Sequence, residues 1–177
     1  MSDTYRIELA RLQQAMHLLV RGFGSAPAEV EAVVGNLVDA NLTGHDSHGI
    51  GMLPRYAKAY LEGGLKPNTA VRVVHDGGSL LRLDGDAGFG QVIGAQAMAL
   101  GIERARGHGS CIVALGNAHR LGRIGAWAEQ VAHFWRGGGR LHRAGNPGRG
   151  SPPGCGARPA ERRRRSGPRL NLPGPSR

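Results

Sequence analysis

The chain has 177 residues and a formal net charge of +10, a length that fits one domain. The charge is unevenly placed: residues 136–177 hold 11 Arg and a single acid, Glu161, while residues 1–135 hold 12 basic and 12 acidic residues. A neutral body argues against a polyanion-binding surface spread over the domain, and no run reaches the about 18 apolar residues of a membrane-crossing helix.

Taken in chain order, Leu9, Leu12, Met16 and Leu19 recur at steps of three and four and predict a helix over 5–21. Gly22 and Gly24 stop it. A second helix is predicted over 27–43, with Ser25 as its cap and Pro27 in its first turn. Val30, Val33, Val34, Leu37 and Val38 form its buried stripe. A loop, His45–Gly51, leads to a third helix from about Leu53 to Leu61. The period then changes. Ala70–His75 and Ser79–Leu83 read as strands joined by Asp76-Gly77-Gly78, a hairpin signal. A glycine-marked loop, Gly85–Gly90, precedes a helix near Gln91–Arg106 whose buried face is expected to be Val92, Ala95, Ala99 and Ile102. Ser110–Leu115 reads as a short buried strand carrying a reduced, buried thiol at Cys111. Asn117–Gly122 is a loop, and a last helix starts over Arg123–His133. Three helices followed by mixed strands and helices give an α/β or α+β class.

Residues 136–177 contain no Val, Ile, Met, Phe, Tyr or Trp. A segment with so little to bury cannot offset its ordering entropy, so it is expected to be disordered. The division is therefore 1–135, a body built as part of an enzyme domain, and 136–177, an Arg/Gly/Pro-rich tail. The body stops abruptly, with strands still needing partners, and truncation is expected. A frameshift near Val131–Gly139 would explain the change of composition. Arg140-Leu141-His142-Arg143 can be written CGT-CTC-CAT-CGN, which shifted by one base spells Val-Ser-Ile, a strand-like triplet. The N-terminus lacks the apolar stretch of a signal peptide, and with one cysteine in each part a reduced, cytoplasmic protein is expected.

Two polar clusters could carry chemistry. His45-Asp46-Ser47-His48-Gly49 puts two imidazoles, a carboxylate and a hydroxyl in one loop between amphipathic helices. Histidine suits proton transfer near neutral pH, and reducing a ketone needs a proton donor beside its oxygen. The same groups could equally cap helices and satisfy the turn. A His-x-x-His pair without further ligands is a weak zinc signal, and no metal is expected. The second cluster, Asn117–Gly125, lies between a strand and a helix, where backbone N–H groups receive phosphate or carboxylate. Arg120 and Arg123 add charge-assisted donors; the alternative is a basic surface turn. Gly85–Gly90 fits neither a Walker nor a Rossmann fingerprint.

Three stretches together carry a family resemblance: NLTGHDSHGIGMLPRY at 41–56, LDGDAGFGQ at 83–91, and Asn117–Gln130 with its Gly-Arg-Ile-Gly core. Over about residues 5–133 the chain resembles the malate/L-lactate dehydrogenase family, most of all its hydroxycarboxylate dehydrogenase B branch. The resemblance implies a non-Rossmann oxidoreductase that interconverts 2-hydroxy and 2-oxo acids by hydride transfer with NAD or NADP. It further implies a homodimer of chains roughly twice this length. His48, with Ser47 beside it, matches the loop histidine that faces cofactor and substrate. Gly122, Arg123 and Ile124 match a stretch that touches the nicotinamide cofactor. Two positions depart from the family pattern. Many members carry arginine where this chain has Met52, which leaves Arg55 as the nearest cation for substrate. The second active-site histidine is expected two residues before Gly122, where Arg120 stands; His119, one step earlier, is its replacement as acid/base. The competing reading is a nucleic-acid-binding protein acting through the run Arg162–Arg165. The tail has no aromatic residue for stacking, which disfavours that partner, and deleting 136–177 would show whether any DNA binding belongs to the tail alone.

Overall fold

The computed structural model describes residues 4–137 and 169–173, with side chains over 6–134. Strand β1, Thr4–Glu8, leads into α1, Leu9–Arg21; α2 spans Pro27–Leu42. Two single-turn 3-10 segments, Asp46–His48 and Ile50–Met52, connect to α3, Leu53–Leu61. Strands β2, Arg72–Asp76, and β3, Leu80–Asp84, precede α4, Gly90–His108. Then come β4, Ile112–Gly116, α5, Gly125–Gly137, and β5, Arg169–Pro173. This is the mixed α/β class expected.

The helical stripes fold on one another. Val30, Val33, Val34, Leu37 and Val38 of α2 meet Met16 and Val20 of α1, with Met52, Tyr56, Leu65 and Phe89 closing the cluster. Apolar positions three and four apart on both helices make this burial possible. A second, smaller core lies under the sheet, where Leu81 and Leu83 of β3 pack with Ala97 of α4. The sheet order is β2-β3-β4, antiparallel between β2 and β3 and parallel between β3 and β4. One sheet face packs on α4. The other leaves Leu80 and Ile112 45% and 68% exposed.

The hairpin and the third helix stand where the sequence placed them. Elsewhere the structure corrects the reading. Residues 4–8 are a strand, not the first turn of a helix; Thr-Tyr-Arg-Ile-Glu alternates and is rich in strand formers, and it pairs antiparallel with Arg169–Pro173. Those five tail residues are therefore ordered backbone, although disorder was expected, because the free edge of β1 offers them hydrogen bonds. The rest of the expected disorder and the frameshift site beyond Gly137 lie outside the described residues. Ser25 does not cap α2: the N-cap is Ala26, with no side-chain bond, and the buried Ser25 hydroxyl has no partner among the described residues. The buried face of α4 is Gly90, Gln91, Ile93, Gly94, Ala97 and Gly101, turned by about one residue from the face expected. Small residues let the helix approach its neighbours: a side chain at Gly94 would press into Trp127, and one at Gly101 into Val113. Strand β4 is not fully buried but alternates, because nothing among the described residues covers the outer sheet face; Cys111, just before it, packs against the inner cluster and is only half-buried.

Candidate active site

The first polar cluster divides into scaffold and site. Asn41, near the end of α2, winds the loop around itself: its Nδ2 donates to Asp46 Oδ1 and its Oδ1 accepts from the Ile50 N–H at 2.8 Å. Gly49 lies so close to the Asn41 side chain that a Cβ there would overlap it. His45 turns back to the Thr43 carbonyl, 3.1 Å away. Asp46 and His45 thus serve the turn, as the plainer reading held. Ser47 and His48 remain exposed and face a cleft of about 430 Å³, within the usual range of small-molecule sites. The Ser47 Oγ lies 2.9 Å from His48 Nδ1. With the hydroxyl donating, neutral His48 carries its proton on Nε2, pointing a donor away from Ser47.

The second cluster supplies the opposite wall, and backbone clamps fix it. The N–H of Ala87 donates to the Asn117 carbonyl at 2.7 Å, and that of His119 to the Gly88 carbonyl at 3.0 Å. Asp84 accepts from the Asp86 N–H at 2.7 Å and from Asn117 Nδ2 at 3.0 Å, which holds its carboxyl below the ordinary range. The Gly85–Gly90 loop is therefore a clamp for residues 117–119, and Gly90 sits against the Arg120 carbonyl where no Cβ fits. Ala118, His119, Arg120, Leu121, Gly122 and Ile124 all line the same cleft as Ser47 and His48. The two sequence clusters, about seventy residues apart, line one cleft.

His119 is half-buried, with its ring edge-on to that of Tyr56 (centroids 5.2 Å apart, interplanar angle 75°). Its Nδ1 is buried without a partner among the described residues. Burial lowers the imidazole below its ordinary value, and the neighbouring Arg120 charge adds to the effect, so the ring is neutral at neutral pH. Tyr56 is fully buried at the cleft floor, and its oxygen accepts from Gln91 Nε2 at 2.8 Å. Burial raises the phenol, opposed by the Gln91 bond and the Arg120 charge. Gly122 has φ +72, and a Cβ there would collide with Asn36 Oδ1 and approach Gln91 Nε2.

Two of the residues expected at the site have their side chains elsewhere. The Arg123 guanidinium is not offered to a cofactor: it is buried, bonded to Asp39 at 2.6 Å and forked onto Glu129 at 2.8 and 2.7 Å. It ties α2 to α5, so what position 123 can present is its backbone. Arg55 lies exposed on α3, outside the cleft lining, and Arg120 is the cation on the wall. Tyr56 and Gln91 were not singled out from sequence, and Met52 was noted only as a departure from the family pattern. Tyr56 and Gln91 stood at the ends of the quoted motifs, and a buried phenol–amide pair is visible only after folding.

No helix among the described residues is long and apolar enough to cross a membrane. Residues 7–134 match the model of the family described as malate/L-lactate dehydrogenase. The chain is 46% identical over 132 residues to hydroxycarboxylate dehydrogenase B of Escherichia coli K12, covering 75% of this chain and 37% of that relative. It is 41% identical over 107 residues to an L-lactate dehydrogenase of Cupriavidus necator, covering 60% and 31%. Among solved structures, malate dehydrogenase from Pyrococcus horikoshii superposes with a TM-score of 0.69 at 32% identity, over 76% of this chain and 39% of that one. The chain therefore spans roughly a third of the length of these relatives, and through residues 7–134 it belongs to the malate/L-lactate dehydrogenase family.

Proposed function

We propose that the cleft is the proton-transfer part of a dehydrogenase site acting on small 2-hydroxy and 2-oxo acids. The observation that carries this reading is the convergence of Ser47, His48 and His119 on one cleft. The residues present fit the nicotinamide end of NAD or NADP. The wall over 118–124 is backbone-rich, it bends at a glycine without room for a side chain, and a buried imidazole nitrogen stands unpartnered. When bound, the nicotinamide supplies or takes the hydride. Gly122 and Ile124, with the backbone at position 123, would lie along it.

His119 is the acid/base group. As a neutral imidazole it accepts the hydroxyl proton of a 2-hydroxy acid; in the reverse direction it returns that proton to the carbonyl oxygen. His48, oriented by Ser47, donates from Nε2 to the same oxygen. Arg120 at the rim binds the carboxylate, the role first given to Arg55. The setting is a cytoplasmic homodimeric enzyme. A dehydrogenase must hold both reactants in one dry pocket, and this chain spans 37% of its relatives. The 177 residues alone are therefore not expected to turn over.

NMR of the imidazole resonances tests the site: pyruvate, oxaloacetate, hydroxypyruvate or NAD(P)H should perturb His48 and His119 and leave His17, on α1, unmoved. Silence at both cleft histidines with every ligand would end the proposal. NAD(P)H oxidation above background would instead refute the expected inactivity.

A further inference from the structure

Gln91 opens the inner face of α4 and is 2% exposed. A primary amide in that position costs free energy unless it is partnered; its Oε1 has no partner among the described residues, so the Nε2 bond is what holds it. Gln91 Nε2 donates to the Tyr56 oxygen at 2.8 Å across 35 residues of chain. The Tyr56 ring is clamped on one side by Phe89, nearly perpendicular to it at 5.8 Å. On the other it meets His119 edge-on. Such edge contacts are directional. The amide anchors the phenol oxygen, and the ring so anchored is the one the imidazole meets.

We propose that Gln91 is a positioning residue: its amide fixes the Tyr56 phenol, and that ring sets the place of the His119 imidazole in the cleft. The inference takes its functional meaning from reading His119 as the acid/base group; the link from amide to phenol to imidazole stands on geometry. Three groups bear on the imidazole. Tyr56 comes from α3, Arg120 is its chain neighbour, and His48 shares the cleft from the first 3-10 turn. Among the described residues, Gln91 is hydrogen-bonded to neither Arg120 nor His48.

The test is a titration of the His119 Cε1–H resonance in the 177-residue chain, assigned by its loss in His119→Gln. Gln91→Met keeps the volume and removes the bond; Tyr56→Phe keeps the ring and removes the acceptor. In each, His119 should gain freedom and solvent, and its midpoint should rise by about 0.5 unit or more, a roughly threefold change in the protonation equilibrium. The double variant should move no further than the larger single one, because both break one link. A folded Gln91→Met or Tyr56→Phe chain with the wild-type midpoint overturns the proposal, as would additive shifts. Should Gln91→Met fail to fold, Tyr56→Phe decides alone. The two readings fail separately: midpoints that move while oxo acids and NAD(P)H leave both cleft histidines unperturbed would sink the proposed function and spare the positioning.

Discussion

Gly122→Ala is the sharpest probe of how the cleft wall is built. The residue has φ +72, a conformation that costs an L side chain about 1–2 kcal/mol. That term alone is shared with Gly24, where φ is +81 and an added Cβ meets nothing within 4 Å. At Gly122 the Cβ also overlaps Asn36 Oδ1 and comes within 3.3 Å of Gln91 Nε2. Overpacking of this kind adds about 1–3 kcal/mol. The expected losses are therefore about 1–2 kcal/mol for Gly24→Ala and about 2–5 kcal/mol for Gly122→Ala. For a body of this size that corresponds to roughly 4–8 °C against roughly 8–20 °C in melting temperature. Thermal unfolding followed by circular dichroism measures both. Asn36→Ala on top of Gly122→Ala removes the main obstacle and should recover part of the difference. Equal melting temperatures for the two single variants would show that the close approach of Asn36 to the loop is not real, and the account of the wall would fall with it.

Two further outcomes follow from the ion network and the buried imidazole. Arg123→Met keeps the stem but unties α2 from α5; melting should fall by roughly 4–8 °C, with the loss smaller in high salt because Asp39 and Glu129 are half-exposed or more. An unchanged melt would mean that the network contributes nothing. His119 has its folded value lowered by burial, so the unfolded chain binds the extra proton first. Its contribution is fully present above about pH 6.5 and is lost as pH falls through the folded value, at up to about 1.4 kcal/mol per pH unit in that window. His119→Gln should accordingly lose less stability than wild type between pH 7 and 5. Parallel pH profiles for the two proteins would contradict a neutral, buried ring.

Much of the architecture was legible because it rests on local periodicity. The valine stripe of α2 and the Asp76-Gly77-Gly78 turn each encode their element within a few residues. The failures share a different cause. Strand β1 pairs with a segment more than 160 residues away, and its five alternating residues are too few to stand out beside the helical period that follows. The face of α4 is set by which small residues let Trp127 and Val113 approach, not by which side chains are apolar. Within the site, Ser47 and His48 could be picked out because the loop concentrates chemistry. Arg123 misled for the same reason: an arginine in a glycine-rich turn looks like an anion donor, and only the fold reveals the two carboxylates that hold it. The shift from Arg120 to His119 was readable as a departure but not as an outcome, since the ring's direction depends on Tyr56.

The cleft stands on a fault line. One wall, through Tyr56 and Met52, is rooted in the eleven-residue core around the helices; the other follows strands whose own core is three buried residues deep. Fluctuations that unzip the thin side first would carry the His119 strip away from its aromatic backing while the helices stay intact. Backbone amides of β4 should then exchange with deuterium well before those of α2, and the cleft would open below the temperature at which the molecule as a whole comes apart.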